Sequence, residues 1–135
     1  LEGLREYIEQ GCGDRLDEAR AAEQSALEFM MQHRLYKSDK TERVINSQFT
    51  LLSFPYRWHY DVLRGLEYFA RANAPRDARL QDAVNLLYER RRKDGFWPVQ
   101  HKHPGKTFFE MERSGGPSRW NTLRALRVLR WWENG

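Results

Sequence analysis

The sequence predicts an all-α fold built from repeated helical hairpins, and three observations carry that reading. Apolar residues recur at helical spacing rather than in strand alternation. A short string, leucine-arginine-small-leucine, returns about every sixty residues. Pro75 and Gly95 fall just beyond the ends of periodic segments, where helix stops belong.

Leu1-Glu2-Gly3-Leu4-Arg5-Glu6-Tyr7 opens the chain as the tail of one helix. Leu16, Ala19, Ala26, Leu27 and Met30 share one face of a helix over about residues 17–34. A connection of about twenty residues, 35–55, follows, with Val44-Ile45-Asn46 as a short extended piece. Val62, Leu63, Leu66, Phe69 and Ala70 define the next helix, about 60–73, ended by Pro75, with Asp61 at its N-cap. Leu80, Ala83, Val84 and Leu87 place another over about 77–93, with Asp77 as its cap and Gly95 just beyond its end. A second long connection, 95–118, contains Phe108-Phe109 as a further extended piece, and no strand is expected elsewhere. The last helix covers about 121–134, capped by Asn121 at the repeat position of Asp61. Loops of this length without regular structure are often functional.

Leu63-Arg64-Gly65-Leu66 and Leu123-Arg124-Ala125-Leu126 stand sixty residues apart, which predicts that Leu66 and Leu126 are equivalent. The repeats then run over about 14–74 and 75–135, with 1–10 the end of a preceding one. All 135 residues are read as one domain, a fragment of a longer chain whose N-terminal repeats would be its partners. The expected ends of its apolar surface are Leu4, Tyr7 and Ile8 on one side and Trp131 with Trp132 on the other. Self-association through them is expected.

Composition excludes several classes. A single cysteine, Cys12, excludes an internal disulfide framework and a cysteine-rich zinc site. No apolar run reaches the length of a membrane span, and no secretory signature opens the chain, so a cytoplasmic location is expected. The net charge of +4 tolerates an anionic partner. Nucleic acid is not expected, because the basic runs are short and interleaved with acids.

Asp94-Gly95-Phe96-Trp97, with the helix starts Trp58-His59-Tyr60-Asp61-Val62-Leu63-Arg64 and Arg119-Trp120-Asn121-Thr122-Leu123-Arg124, resembles the α/α toroid superfamily. That group holds the squalene and hopene cyclases and the protein prenyltransferase β-subunits. The sequence is most similar to the C-terminal half of bacterial prenyltransferase or squalene-oxidase repeat proteins. The resemblance implies α-α hairpins forming an arc of an incomplete toroid. It does not carry a reaction with it. The cyclases' Asp-x-Asp-Asp acid, the magnesium-binding Asp-Asp-x-x-Asp and the prenyltransferases' Asp-x-Cys zinc pair are all absent, and Cys12 follows Gln10-Gly11. The glutamine four residues before Gly-x-Trp in the cyclase motif is replaced by Arg91.

The same resemblance places Arg57, Trp58, Tyr60, Arg119, Trp120 and Asn121 at inner-helix N-termini, beside a central cavity. Helix N-termini and arginines suit anions, and the aromatics supply apolar walls. A hydrophobic, isoprenoid-like small molecule with an anionic group is therefore one expected ligand, and a non-catalytic module binding another protein is the alternative. Against both stands packing: Asp61 and Asn121 as ordinary caps, the aromatics between hairpins. His59 and Asp61 are the weak catalytic candidates, for general acid or base work. His101 and His103 have the spacing of two strand-borne metal ligands but lack a third, so no metal and no cofactor is expected. Arg124, Arg127 and Arg130 read as a basic stripe on the last helix.

Overall fold

The computed structural model describes residues 1–11 and 13–134, so the expectations for Cys12 lie outside the described residues. It is mostly helical. Five α-helices are described: α1 (Glu2–Gln10), α2 (Leu16–Gln32), α3 (Val62–Arg71), α4 (Gln81–Glu89) and α5 (Arg119–Glu133). Short 3-10 turns occupy Ser47–Thr50 and Ala78–Leu80. A two-stranded antiparallel ribbon pairs β1 (Trp97–Pro98) with β2 (Pro117–Ser118). No helix among the described residues is long and apolar enough to cross a membrane.

α3 carries the centre of the core. Val62, Leu63, Leu66 and Phe69 are essentially buried and meet Leu80, Ala83, Val84 and Leu87 from the turn before α4 and from α4 itself. Ala125 and Val128 of α5 close the other side, and α1 packs on α2. The α3 face recurs at i, i+1, i+4 and i+7, one apolar stripe of a helix. Asp61 caps it as expected, its carboxylate accepting from the Arg64 amide at 2.9 Å. Asp77 accepts from the Arg79 amide, but there it caps the 3-10 turn, and α4 proper starts at Gln81.

Trp97 is the largest fully buried side chain. Its indole N–H donates to the Leu87 carbonyl at 2.7 Å, which fastens the turn after α4 to α4 itself. Gly95, at φ +85, supplies the left-handed residue of that turn. Arg91 stacks over the Trp97 ring, 5.2 Å from its centroid, and donates to the Gly95 carbonyl at 3.2 Å. The residue that departs from the cyclase pattern is thus engaged with both the glycine and the tryptophan of Gly-x-Trp.

Polar contacts tie α1 to the body. Arg5 donates to the buried Glu23 of α2 at 2.6 Å, and Tyr68 of α3 donates to the same carboxylate. Burial, then that carboxylate, push the Tyr68 hydroxyl up to about 12. Glu2 pairs with Arg64, while Glu6 and Glu9 pair with Arg71. Between α3 and α5, Glu67 accepts from the buried Arg124 at 2.8 Å. The Arg64 and Arg124 guanidiniums each lie over the Tyr56 ring, 4.5 and 4.7 Å from its centroid.

Several expectations are corrected. α5 begins at Arg119 with Ser118 as its cap, whose hydroxyl accepts from the Asn121 amide at 2.9 Å. Asn121 is therefore a buried residue inside the helix and not its N-cap. At about 100° per residue, its burial turns Leu123 and Leu126 outward, 42% and 50% exposed, where Leu63 and Leu66 are buried. Leu66 and Leu126 are not equivalent in packing. Nor is there a single basic stripe: Arg124 is buried and Arg127 and Arg130 are exposed.

Phe108 and Phe109 form no strand, and Val44 makes only a single bridge, to Lys37. The strands lie instead at β1 and β2, because the long connection folds back and its end pairs with its own beginning. Trp131 and Trp132 are half-buried against the core rather than open, and Trp131 donates to the Ala74 carbonyl. Leu4 and Ile8 are half-buried too, which leaves Tyr7 the exposed member of that end.

The Arg79 guanidinium, and then the Arg79 amide, hold the Asp77 carboxyl down to about 2. A carboxyl depressed in the folded state contributes stability above its unfolded pKa near 4 that is lost as pH falls toward 2. An Asp77→Asn variant should trail the parent protein by less than about 1 kcal/mol at pH 6, since the pair is part-exposed. Urea titrations at stepped pH should show the gap narrowing between pH 4 and 2. A gap that is constant or widens there contradicts the assignment.

Candidate functional site

The two long connections meet at the N-terminal ends of α3 and α5. Ser53 bridges His101 in parallel fashion, and the Leu52 carbonyl accepts from the Gln100 and His101 amides. Between them lies a cleft of about 270 Å³. Phe54, Phe109 and Met111 line its apolar part, and Arg57, Lys102 and Lys106, with Glu110 and Glu112, line its charged part.

Arg57 has a left-handed backbone, φ +50, in the turn before α3. Its guanidinium reaches across to donate to the Pro104 carbonyl at 3.4 Å. Gly105, at φ +138, leaves the space: a Cβ there would stand 2.9 Å from the Arg57 Nη1. Lys102 is paired with Glu110. Lys106 has no partner among the described residues, so it and Arg57 are the cations least committed elsewhere.

Three imidazoles stand beside the cleft. His59 stacks on His103 with ring centroids 3.5 Å apart, and His101 meets His103 edge-on at 4.7 Å. Burial, with His59 and then His101 nearby, holds His103 below the ordinary imidazole range. Its Nε2 is buried with no hydrogen-bond partner among the described residues. Among those residues no group of three histidine, cysteine or acidic side chains is arranged to hold a metal ion.

The structure brings only part of the sequence-derived set together. Arg57 lines the cleft, and Trp120 stacks on the lining Phe54 at 5.4 Å, nearly parallel. His59 borders the cleft through His103. Trp58 stacks on His59 and is 76% exposed. Tyr60 turns inward, donating to the Leu35 carbonyl at 2.8 Å, with its hydroxyl pushed far up by burial. The Asp61 carboxylate is engaged three times, by the Ser53 amide at 3.0 Å, the Ser53 hydroxyl at 2.7 Å and the Arg64 amide. Asn121 donates to the Pro98 carbonyl at 3.0 Å and accepts from Arg124 at 3.0 Å. The Arg119 side chain points to solvent, away from the cleft lining.

Sequence reasoning missed Phe54, Lys102, Lys106, Phe109 and Met111 as cleft residues. One signal for four of them was available, namely the length of the 95–118 connection. Comparison with known protein families, with curated proteins and with solved structures gave no match.

Proposed function

We propose that the cleft binds a small hydrophobic molecule bearing an anionic group, of the isoprenoid-phosphate kind. The helical hairpins would then serve as an arc of an α/α toroid similar to those of terpenoid cyclases and prenyltransferases. The observation that carries the reading is the pairing of an apolar lining, Phe54, Phe109 and Met111, with Lys106, which has no partner among the described residues, and Arg57, whose guanidinium makes only a 3.4 Å contact to the Pro104 carbonyl. An arginine and a lysine can each donate charge-assisted hydrogen bonds to phosphate oxygens. His103, whose Nε2 has no partner among the described residues, is available as a further polar contact. The volume lies just below the range of small-molecule sites, about 300–1,000 Å³, which favours a short chain. No reaction is assigned, and Asp61 is left out of the site because its carboxylate is engaged in the fold.

Calorimetric titration with geranyl diphosphate, geraniol and inorganic pyrophosphate tests this. Geranyl diphosphate should bind at least tenfold more tightly than either half-molecule. Arg57→Ala and Lys106→Ala should each weaken it about tenfold, or about 1.4 kcal/mol. No binding of the diphosphate, or equal binding of all three probes, would sink the proposal.

A further inference from the structure

We infer that the outward face of α5 is a docking surface for an acidic amphipathic helix of another protein. Arg119, Leu123, Leu126 and Arg130 stand at i, i+4, i+7 and i+11, one stripe of the helix, with Arg127 alongside. All five are exposed, and the three guanidiniums have no hydrogen-bond or ion-pair partner among the described residues. Trp120, 44% exposed, borders the stripe. Two leucines bounded by arginines at both ends form a seam about 16 Å long, at 1.5 Å per residue.

The chain itself shows how such a face is covered. Glu2, Glu6 and Glu9 of α1, at i, i+4 and i+7, meet Arg64 and Arg71 of α3, with distances down to 2.6 Å. Glu67 of α3 in turn meets Arg124 of α5. Each of these arginines is answered by a carboxylate from the preceding helix of that series. On the outward face of α5, Arg119 and Arg130 have no carboxylate partner among the described residues, and neither has Arg127, which stands between that face and a cavity it lines with Glu2, Glu6 and Glu67. A helix presenting carboxylates at the spacing of α1 beside leucines complements the outward face in charge and in apolar seam. A second copy does not supply it, because α1 already spends its carboxylates within its own chain. An anionic membrane fits less well, since two leucines give little apolar area to insert. This inference stands on residues outside the cleft and independently of the function proposed for it.

The probe is a fluorescein-labelled peptide of two tandem copies of the sequence of residues 1–10, beside a version with every Glu replaced by Gln. Fluorescence anisotropy should show saturable binding of the acidic peptide, with the Gln version at least tenfold weaker. Raising the salt from 50 to 500 mM should weaken it by a similar factor. The combined Arg119→Glu, Arg127→Glu and Arg130→Glu variant, all surface positions, should lose binding at least tenfold while keeping its circular dichroism. Arg71→Gln should leave binding unchanged, because that residue serves the α1 site on α3. Four results overturn the inference. These are no binding at 200 μM peptide, binding indifferent to the charge reversal, and binding abolished by Arg71→Gln. The fourth is capture by phosphatidylserine vesicles, or a concentration-dependent dimer in sedimentation, that the charge reversal abolishes while peptide binding stays weak.

Discussion

Trp97→Ala is expected to lower unfolding free energy by about 3–5 kcal/mol, the largest effect of any single substitution considered. The side chain is fully buried, so its removal leaves a cavity between α4 and α5 that neighbouring leucines and valines cannot fill. The Leu87 carbonyl loses its indole donor at the same time, and Arg91 loses the ring it stacks on. For a domain of ordinary stability, about 5–15 kcal/mol, that is a large fraction of the whole. Urea titration followed by circular dichroism measures it, with Trp58→Ala as the exposed control, expected within about 0.5 kcal/mol of the parent. Equal effects at the two positions would mean that Trp97 is not the anchor described.

Asp61→Ala is expected to cost about 2–4 kcal/mol, for a different reason. The cap of α3 is lost, and the amide and hydroxyl of Ser53 are left buried without an acceptor. Ser53→Ala removes only one of the donors and should cost about 1 kcal/mol. The double variant should therefore fall short of the sum of the singles by more than about 0.5 kcal/mol, as residues sharing a hydrogen bond do. Asp61 was also a catalytic candidate, and the same variant separates the two roles. A stability loss with ligand affinity retained in the folded fraction supports the structural role. Wild-type stability with binding abolished would return Asp61 to the site.

The helices were legible because their signals are local. The α3 stripe, the Asp61 cap and the helix stop before Pro75 need only the few residues around them. The ends of α5 were less so. Both Ser118 and Asn121 are good caps by type, and the choice between them rests on Glu112, which accepts from the Ser118 hydroxyl, and on the pairing of β2 with β1. Nothing near residue 118 announces either partner. That choice set which side of α5 is buried, and with it the placing of Leu123, Leu126 and Arg124.

The candidate site shows the same division. Arg57 was found because it sits just before a helix, where anions are favoured, and Trp120 because it stands in the corresponding place. Lys106, Phe109 and Met111 belong to a loop of no periodicity, and only its folding back over the 54–57 turn makes them neighbours of Arg57. His59 and His103, forty-four residues apart in the chain, became a stacked pair through the bridge between Ser53 and His101.

The sequence by itself determined that the chain is helical, where its apolar stripes lie and which residue types it can offer a ligand. Those properties follow from spacing along a helix of 3.6 residues per turn, a local rule. Only the tertiary structure decided which arginines are spent and which are free. Arg64, Arg71 and Arg124 are matched by carboxylates fifty-seven to sixty-five residues away, whereas Arg127 and Arg130, of the same residue type, have no carboxylate partner among the described residues. Charge pairing acts through space over a few ångströms, so no spacing along the chain could have told one set from the other.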